Sequence, residues 1–342
     1  MQSKPNILLI YTGGTIGMMK DFETGALKAF NFSKISNKIP ELKLLDCTIQ
    51  TVSFDVPIDS SNMNPKKWIE IASIIEDNYS EFDGFVVLHG SDTMSYSASA
   101  LSFMLENLDK PVVFTGSQLP IGDLRTDAKE NLITAIQIAS LRQKNKAVIR
   151  EVCLYFEYKL YRGNRTTKIN AEHFNAFASP NYPPLVVSGV NLKINFDLVL
   201  PKSSSKKLIV HKELDDNVLI LKMFPGLNET VLSAILSVPS LKGIVLETYG
   251  SGNAPTEEWF ISALNKAIKK GLYVINVTQC SAGSVNMGLY ETSSELKKIG
   301  VISGKDSTTE AAVTKLMYLL GQKVASTVFR TTFETSLRGE LT

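Results

Sequence analysis

Four short segments of this chain put hydroxyls beside groups able to work with them. They are Thr12 and Thr15 around Gly13-Gly14, Asp59-Ser60-Ser61, Ser91-Asp92-Thr93, and Thr167-Lys168. A serine or threonine hydroxyl is a poor nucleophile until a base takes its proton. A lysine can be that base if burial lowers its pKa, and a neighbouring carboxylate can orient it. The chain offers no Ser-His-Asp set: its only histidines are His89, His173 and His211, scattered in the sequence. Those three are also too dispersed for a zinc site, so no metal is expected. The first loop taken alone admits other readings, a phosphate cradle or an ordinary strand-to-helix turn. Gly13, Gly14 and Gly17 do not follow G-x-G-x-x-G, however, and no Gly-Lys-Ser/Thr follows them.

Positioning such groups requires strand ends. Ile7 to Tyr11 is an apolar run without alternation, the pattern of a strand buried on both faces of a parallel sheet. Thr12-Gly13-Gly14-Thr15 then lies at its carboxyl end, where open α/β sheets bind ligands, and the glycine pair allows a sharp turn with positive φ. Residues 48–56 read as a second strand ending at Asp59-Ser60-Ser61, which either contacts a ligand or starts the turn. Asn64 before Pro65 reads as an N-cap with proline at N1. Gly84-Phe85-Val86-Val87-Leu88 is the clearest strand; His89-Gly90-Ser91-Asp92-Thr93 follows it, and a helix is expected from Ser95 to Leu108. His89 reads as a satisfied structural histidine, while Ser91 or Asp92 is either reactive or a helix cap. Pro111 to Gln118 repeats the pattern with Ser117 at its exit, before a helix from about Asp127 to Leu141. After a strand at 151–156, Arg162, Arg165 and Lys168 read as an anion-binding cluster or a solvated turn.

With 44 % hydrophobic and 20 % charged residues the composition is that of a globular protein, and 342 residues suffice for about two domains. A net charge of +2 gives no reason to expect nucleic acid or an acidic membrane as partner. Cys47, Cys153 and Cys280 are an odd, widely spaced set, which points to reduced thiols in a cytoplasm. No signal peptide is apparent before the first strand, and no apolar stretch reaches the length of a membrane span. The prolines and the serine-lysine run of residues 178–212 mark a change of character. The expected organisation is an N-terminal α/β domain over 1–190 carrying the catalytic loops, a linker over 191–212, and a C-terminal α/β domain over 213–342. In the latter, strands are expected at 217–223, 243–248 and 272–277, with helices near 228–237, 256–269 and 307–320. Both sheets are expected to be parallel.

Tyr11-Thr12-Gly13-Gly14-Thr15-Ile16-Gly17, His89-Gly90-Ser91-Asp92-Thr93 and Arg162-Gly163-Asn164-Arg165-Thr166-Thr167-Lys168 together resemble the signatures of the bacterial cytoplasmic (type I) L-asparaginases. The similarity extends to Asp59-Ser60-Ser61, Tyr249 to Pro255 and the Arg338-Gly339-Glu340-Leu341 ending. The resemblance implies that Thr15 attacks the side-chain amide carbon of asparagine, releasing ammonia and leaving a β-aspartyl ester for water to hydrolyse. Ser91, Asp92 and Lys168 would complete the catalytic set, with Lys168 as proton acceptor and backbone near Ser91 as oxyanion donor. Ser60 and Asp92 would grip the α-carboxylate and α-amino groups, with Ser61 and Ser117 also lining the substrate. Asn253 would act from a neighbouring subunit of a homotetramer built as a dimer of intimate dimers. No cofactor is implied.

Two departures from the family pattern stand out. Serine occupies position 91, where the family usually has threonine. Thr24-Gly25-Ala26-Leu27 lacks the tyrosine that many relatives carry in the segment after the nucleophile, which reads as a lid or a plain connection; Tyr290 reads as a replacement for it or as a partly buried core tyrosine. The rival readings are a glutaminase or broader amidohydrolase, and a non-catalytic amino-acid sensor on the same fold. A tRNA-amidotransferase subunit or a nucleotide-binding module fits the sequence less well.

Overall fold

The computed structural model describes residues 4–20, 27–29, 39–201, 207–288 and 291–342, with backbone alone for 19, 20, 27–29, 291 and 292. The chain divides into two compact units, residues 1–212 and 213–342.

Unit 1 is organised around β1 (Asn6–Gly13), whose residues from Ile7 onward are all buried. It pairs in parallel with β2 (Thr48–Ile58) on one side and β3 (Gly84–Leu88) on the other. Beyond β3 follow β4 (Val112–Thr115) and β5 (Val152–Phe156), also parallel. The chain therefore runs from β1 to one side and then back past it to the other. That places a topological switch point between β1 and β3, the crevice where open sheets hold ligands. Leu8, Val86, Val113 and their neighbours need no polar alternation, since helices cover both faces. α1 (Pro65–Asp77) and α2 (Met94–Met104) pack together on one face; α3 (Ala128–Ala139) packs against β3, β4 and β5. Leu132, Ala135 and Ile136 of α3 join Ile7, Leu9, Val86, Leu88 and Val113 in one cluster. The cap expected for α1 is present: the Asn64 side chain accepts from Lys66 N and Lys67 N, with Pro65 at N1.

The five parallel strands are extended by three antiparallel ones, β6 (Lys159–Arg162), β7 (Val186–Val187) and β8 (Lys193–Ile194). Leu198 O and Leu200 N then bond Arg162 and Glu151, so the proline-marked stretch packs on unit 1. The helix expected to reach Leu108 stops at Met104, because Leu105–Glu106 pair instead with Ile209–Val210.

Unit 2 is a four-stranded parallel sheet of β9 (Val218–Lys222), β10 (Gly243–Thr248), β11 (Tyr273–Thr278) and β12 (Ile302–Ser303), in that order. The helices α4 (Glu229–Leu236), α5 (Glu258–Lys269) and α7 (Thr309–Gly321) fall where the sequence puts them. α6 (Glu291–Lys298) and α8 (Ser326–Glu334) are additional. Leu232, Phe260, Leu264, Ile244 and Leu246 form its core. Among the described residues, no helix is long and apolar enough to cross a membrane.

Candidate active site

The loop after β1 turns at Gly13 (φ 135°) and Gly14 (φ 84°). Both positions need glycine twice over. A Cβ on Gly13 would lie 2.1 Å from Ile58 O, and one on Gly14 would lie 2.5 Å from Gly90 N. The loops following β1, β2 and β3 thus meet backbone to backbone, and a Cβ on Gly90 would in turn strike Ser60 Oγ at 2.5 Å. Side chains tie the same three loops. Thr12 Oγ1 donates to Leu88 O at 2.8 Å, and Thr93 Oγ1 donates to Ser60 O at 2.7 Å. Thr12 is buried and occupied, so of the two threonines only Thr15 presents a hydroxyl. Thr15 is half-buried at the start of a 3-10 turn, and its side chain makes no hydrogen bond among the described residues.

In the second loop Asp59 caps a turn at 60–62. Its Oδ1 accepts from Ser61 N and Ser61 Oγ, both at 2.8 Å, and these bonds hold the carboxyl below its usual value. The Ser61 hydroxyl is therefore engaged within its own turn, whereas the buried Ser60 Oγ lies against Gly90. In the third loop neither Ser91 nor Asp92 caps α2; Thr93 holds that position without a side-chain cap bond.

Lys168 brings the third and sixth strand ends together. It sits in the short pairing of Thr167–Lys168 with Phe177–Ala178, and its Nζ donates to Ser91 Oγ at 2.9 Å and to Asp92 Oδ1 at 2.6 Å. Lys168 is 17 % exposed, Asp92 64 %, so the pair is sheltered on one side and wet on the other. Ser91 Oγ in turn donates to Gln118 Oε1 at 3.1 Å, and Gln118 Nε2 donates to Ala171 O and His173 O at 3.1 Å each. The Ser91 backbone N–H makes no hydrogen bond among the described residues.

Gln118 was missed by the sequence reading, although it lies beside Ser117 at the exit of β4. A hydroxyl drew attention, yet Ser117 Oγ donates to Leu119 O at 2.6 Å within its own loop. Asp127 fixes this loop by accepting from Gln118 N and Leu119 N.

Arg162 and Arg165 are neither an anion cluster nor a solvated turn. Both are buried; Arg162 Nε meets Glu151 Oε2 at 2.5 Å, and both guanidiniums lie over the Tyr182 ring. Of that trio only Lys168 reaches the site. His89 is structural, as expected. It is fully buried between Ser97 Oγ at 2.8 Å and Gly90 O at 2.7 Å, and burial lowers its pKa to about 4 even though the Gly90 bond opposes this. It is neutral at pH 7, and both ring nitrogens are occupied by these two bonds.

Asn253 belongs to unit 2, where it closes the turn after β10 by pairing with Tyr249. Tyr290 and Thr24 to Ala26 lie outside the described residues; Leu27 begins a short strand whose backbone pairs with Met18–Lys20. Among the described residues no three His, Cys, Asp or Glu side chains converge as metal ligands would.

Unit 1 therefore offers an unengaged threonine hydroxyl, an unengaged backbone donor, and a lysine joined to a serine and a carboxylate at one switch point. Residues 6–200 match the family described as "Asparaginase, N-terminal", and residues 217–333 match the "Glutaminase/Asparaginase C-terminal domain". The chain is 42 % identical over 340 residues to L-asparaginase 1 of Escherichia coli K12, covering 99 % of this chain and 98 % of that protein. It is 40 % identical to the mouse 60 kDa lysophospholipase, of which it spans 63 %. The crystal structure of L-asparaginase I from Vibrio cholerae superposes with a TM-score of 0.90 at 40 % identity, covering 99 % of each chain. With both halves matched in order and over nearly full length, this chain belongs to the asparaginase family.

Proposed function

We propose that the chain is an L-asparaginase that hydrolyses L-asparagine to L-aspartate and ammonia with Thr15 as nucleophile. The observation that carries this reading is Lys168 Nζ between Ser91 Oγ and Asp92 Oδ1, beside the loop that presents Thr15. In the first step Thr15 Oγ bonds to the side-chain amide carbon. The C–N bond breaks and ammonia leaves, carrying a proton that came from Thr15 by way of the Lys168 side chain. Water then attacks the β-aspartyl ester; its hydroxyl stays on the new carboxylate and its proton returns to Thr15. The free N–H of Ser91 is suited to the oxyanion of both tetrahedral states. Ser60 and Asp92 hold the α-carboxylate and α-amino groups, Ser61 and Ser117 shape the pocket, and Asn253 of a neighbouring subunit completes it. This makes the protein a cytoplasmic homotetramer without cofactor, a dimer of intimate dimers.

A broader amidohydrolase is the second reading, favoured by the C-terminal match to a family described for glutaminase as well as asparaginase. One methylene changes discrimination by only ~1–3 kcal/mol. The test is ammonia release from L-asparagine and L-glutamine by the chain and by Thr15→Ala. Asparagine turnover lost by more than about 10³-fold in the variant supports the main reading. Glutamine turnover at a similar rate moves the protein to the second. No turnover of either by the folded chain overturns both, leaving the sensor.

A further inference from the structure

The amino ends of β3, β4 and β5 lie at the opposite edge of the unit 1 sheet from the loops described above. β3 spans five residues, about 17 Å of strand, so a ligand here would not touch one bound there. The segment 142–150, Arg-Gln-Lys-Asn-Lys-Ala-Val-Ile-Arg, carries four cations and no acid, in a chain whose net charge is only +2. Its first part is a hairpin pairing Arg142–Gln143 with Lys146–Ala147. Lys144 and Asn145 make its turn at φ 51° and 61°, a left-handed pair that glycine would fill more easily than lysine does.

This hairpin walls a notch of about 230 Å³ lined by Asp83, Asp109, Lys110, Arg142, Lys146 and Arg150. Both carboxylates already have partners. Asp83 accepts from Asn6 N at 2.9 Å and pairs with Arg142 at 3.3 Å, and Asp109 accepts from the Tyr79 hydroxyl at 2.6 Å. Two of the cations are engaged as well. Lys110 donates to Tyr79 O and Phe82 O, and Arg142 donates to Asp83 O at 2.7 Å. Burial pushes the Lys110 ammonium below its usual value despite the attraction of Asp109 and Asp83. The side chains of Lys146 and Arg150 make no hydrogen bond or ion pair among the described residues; Lys146 is exposed and Arg150 half-buried. A guanidinium drawn partly out of water with no acceptor is unfavourable unless something supplies one.

We propose that this notch binds a small phosphate-type oxyanion through Arg150 and Lys146. Two uncompensated cations match the roughly −2 charge of a phosphoryl group, and the planar fork of arginine matches its oxygens. The volume is below the ~300–1,000 Å³ of sites that enclose drug-sized ligands. It suits one or two phosphoryl groups, either free or at the end of a larger molecule whose remainder stays in solvent.

The test is calorimetric titration and thermal melting of the full chain with inorganic phosphate, pyrophosphate and a nucleoside diphosphate, at ionic strength held constant with chloride. Saturable binding with a rise in melting temperature is expected. Arg150→Gln and Lys146→Gln should each weaken it at least tenfold while leaving the unliganded melting temperature within ~2 °C, since neither side chain makes a hydrogen bond or ion pair among the described residues. A nucleoside diphosphate binding more tightly than pyrophosphate identifies an attached phosphate as the source; equal or weaker binding identifies the free ion. Non-saturable behaviour, binding unchanged in the double variant, or displacement of phosphate by saturating L-aspartate would each overturn the proposal. None of these outcomes depends on the activity proposed for Thr15.

Discussion

Lys168 in unit 1 and Lys315 in unit 2 both hold a carboxylate, and they differ in what else surrounds them. Lys315 Nζ donates to Phe333 O and Thr335 O at 2.7 Å each and to Glu340. Glu340 also accepts from Leu337 N and Arg338 N, and the two side chains are 1 % and 0 % exposed. Every proton of that ammonium has a fixed acceptor, so the pair fastens the last residues of the chain onto α7 and can do little else. Lys168 has two side-chain acceptors, one of them a hydroxyl that relays to Gln118, and its carboxylate faces water. A saturated buried pair specifies structure; an unsaturated pair at a strand end keeps the freedom to change partners. The contrast lies in hydrogen-bond saturation and exposure, not in the ion pair itself.

Removing one charged partner from each pair should therefore break different properties. Lys168→Met is expected to lower kcat for asparagine by about 10²–10⁴-fold, the usual worth of a positioned acid–base group. Its melting temperature should stay within a few degrees of the parent. Ammonia release beside a melting curve checks both, and a variant retaining a third of the parent rate would remove Lys168 from the mechanism. Glu340→Gln should do the reverse. Removing one partner of a buried pair costs about 3–5 kcal/mol of stability, read as a lower urea midpoint. Turnover per folded molecule should remain near that of the parent.

The sequence alone made the first of these lysines visible and hid the second. Lys168 stands in a dense polar run after a strand, next to hydroxyls, where chemistry is expected. Lys315 sits inside a helix, and its partner is a carboxylate 25 positions away, a pairing that no local pattern encodes. The same reason hid the role of Arg162. Its partner Glu151 lies across the antiparallel turn of β5 and β6, and a two-residue strand such as β7 leaves no periodicity to read. What was legible was local: the glycine pair, the buried runs of β1 and β3, the Asn64 cap, and the strand-helix alternation of unit 2. Gln118 was adjacent to a residue chosen for its hydroxyl. An amide bridging Ser91 to two carbonyls is recognisable only once the loops are folded.

The two units should also part company in acid. Burial works to raise the Glu340 carboxyl, but Lys315 and the two backbone donors together hold it below its usual value. That pair therefore contributes fully above the ordinary carboxyl pKa of 4.5 and fails only as pH falls below it. His89 acts earlier. Its folded pKa of about 4 lies below the 6.5 of the free side chain, so the unfolded chain binds the extra proton between those values. The resulting penalty is absent above pH 6.5, grows on acidification and reaches about 3 kcal/mol near pH 4. Unfolding followed by urea at several pH values should show unit 1 weakening first. His89→Gln, compared with the parent, should flatten the slope between pH 6.5 and 4; an unchanged slope would assign that loss to other groups.

The smallest effect expected is at Ser91, and it bears most directly on how the Lys168 cluster works. Ser91 Oγ accepts from Lys168 and donates to Gln118, and both bonds need an oxygen at that position but no methyl. Threonine would add the methyl that restricts χ1. Here Lys168 on one side and Gln118 on the other already fix the rotamer of the hydroxyl. Ser91→Thr should therefore change kcat/KM for asparagine by less than about threefold, under 1 kcal/mol, whereas Ser91→Ala removes both bonds and should lose far more. Steady-state ammonia release on the two variants makes the comparison. A threonine variant more than tenfold faster than the parent would mean that the serine hydroxyl wanders between its two partners. The unsaturated pair would then be loose rather than merely open.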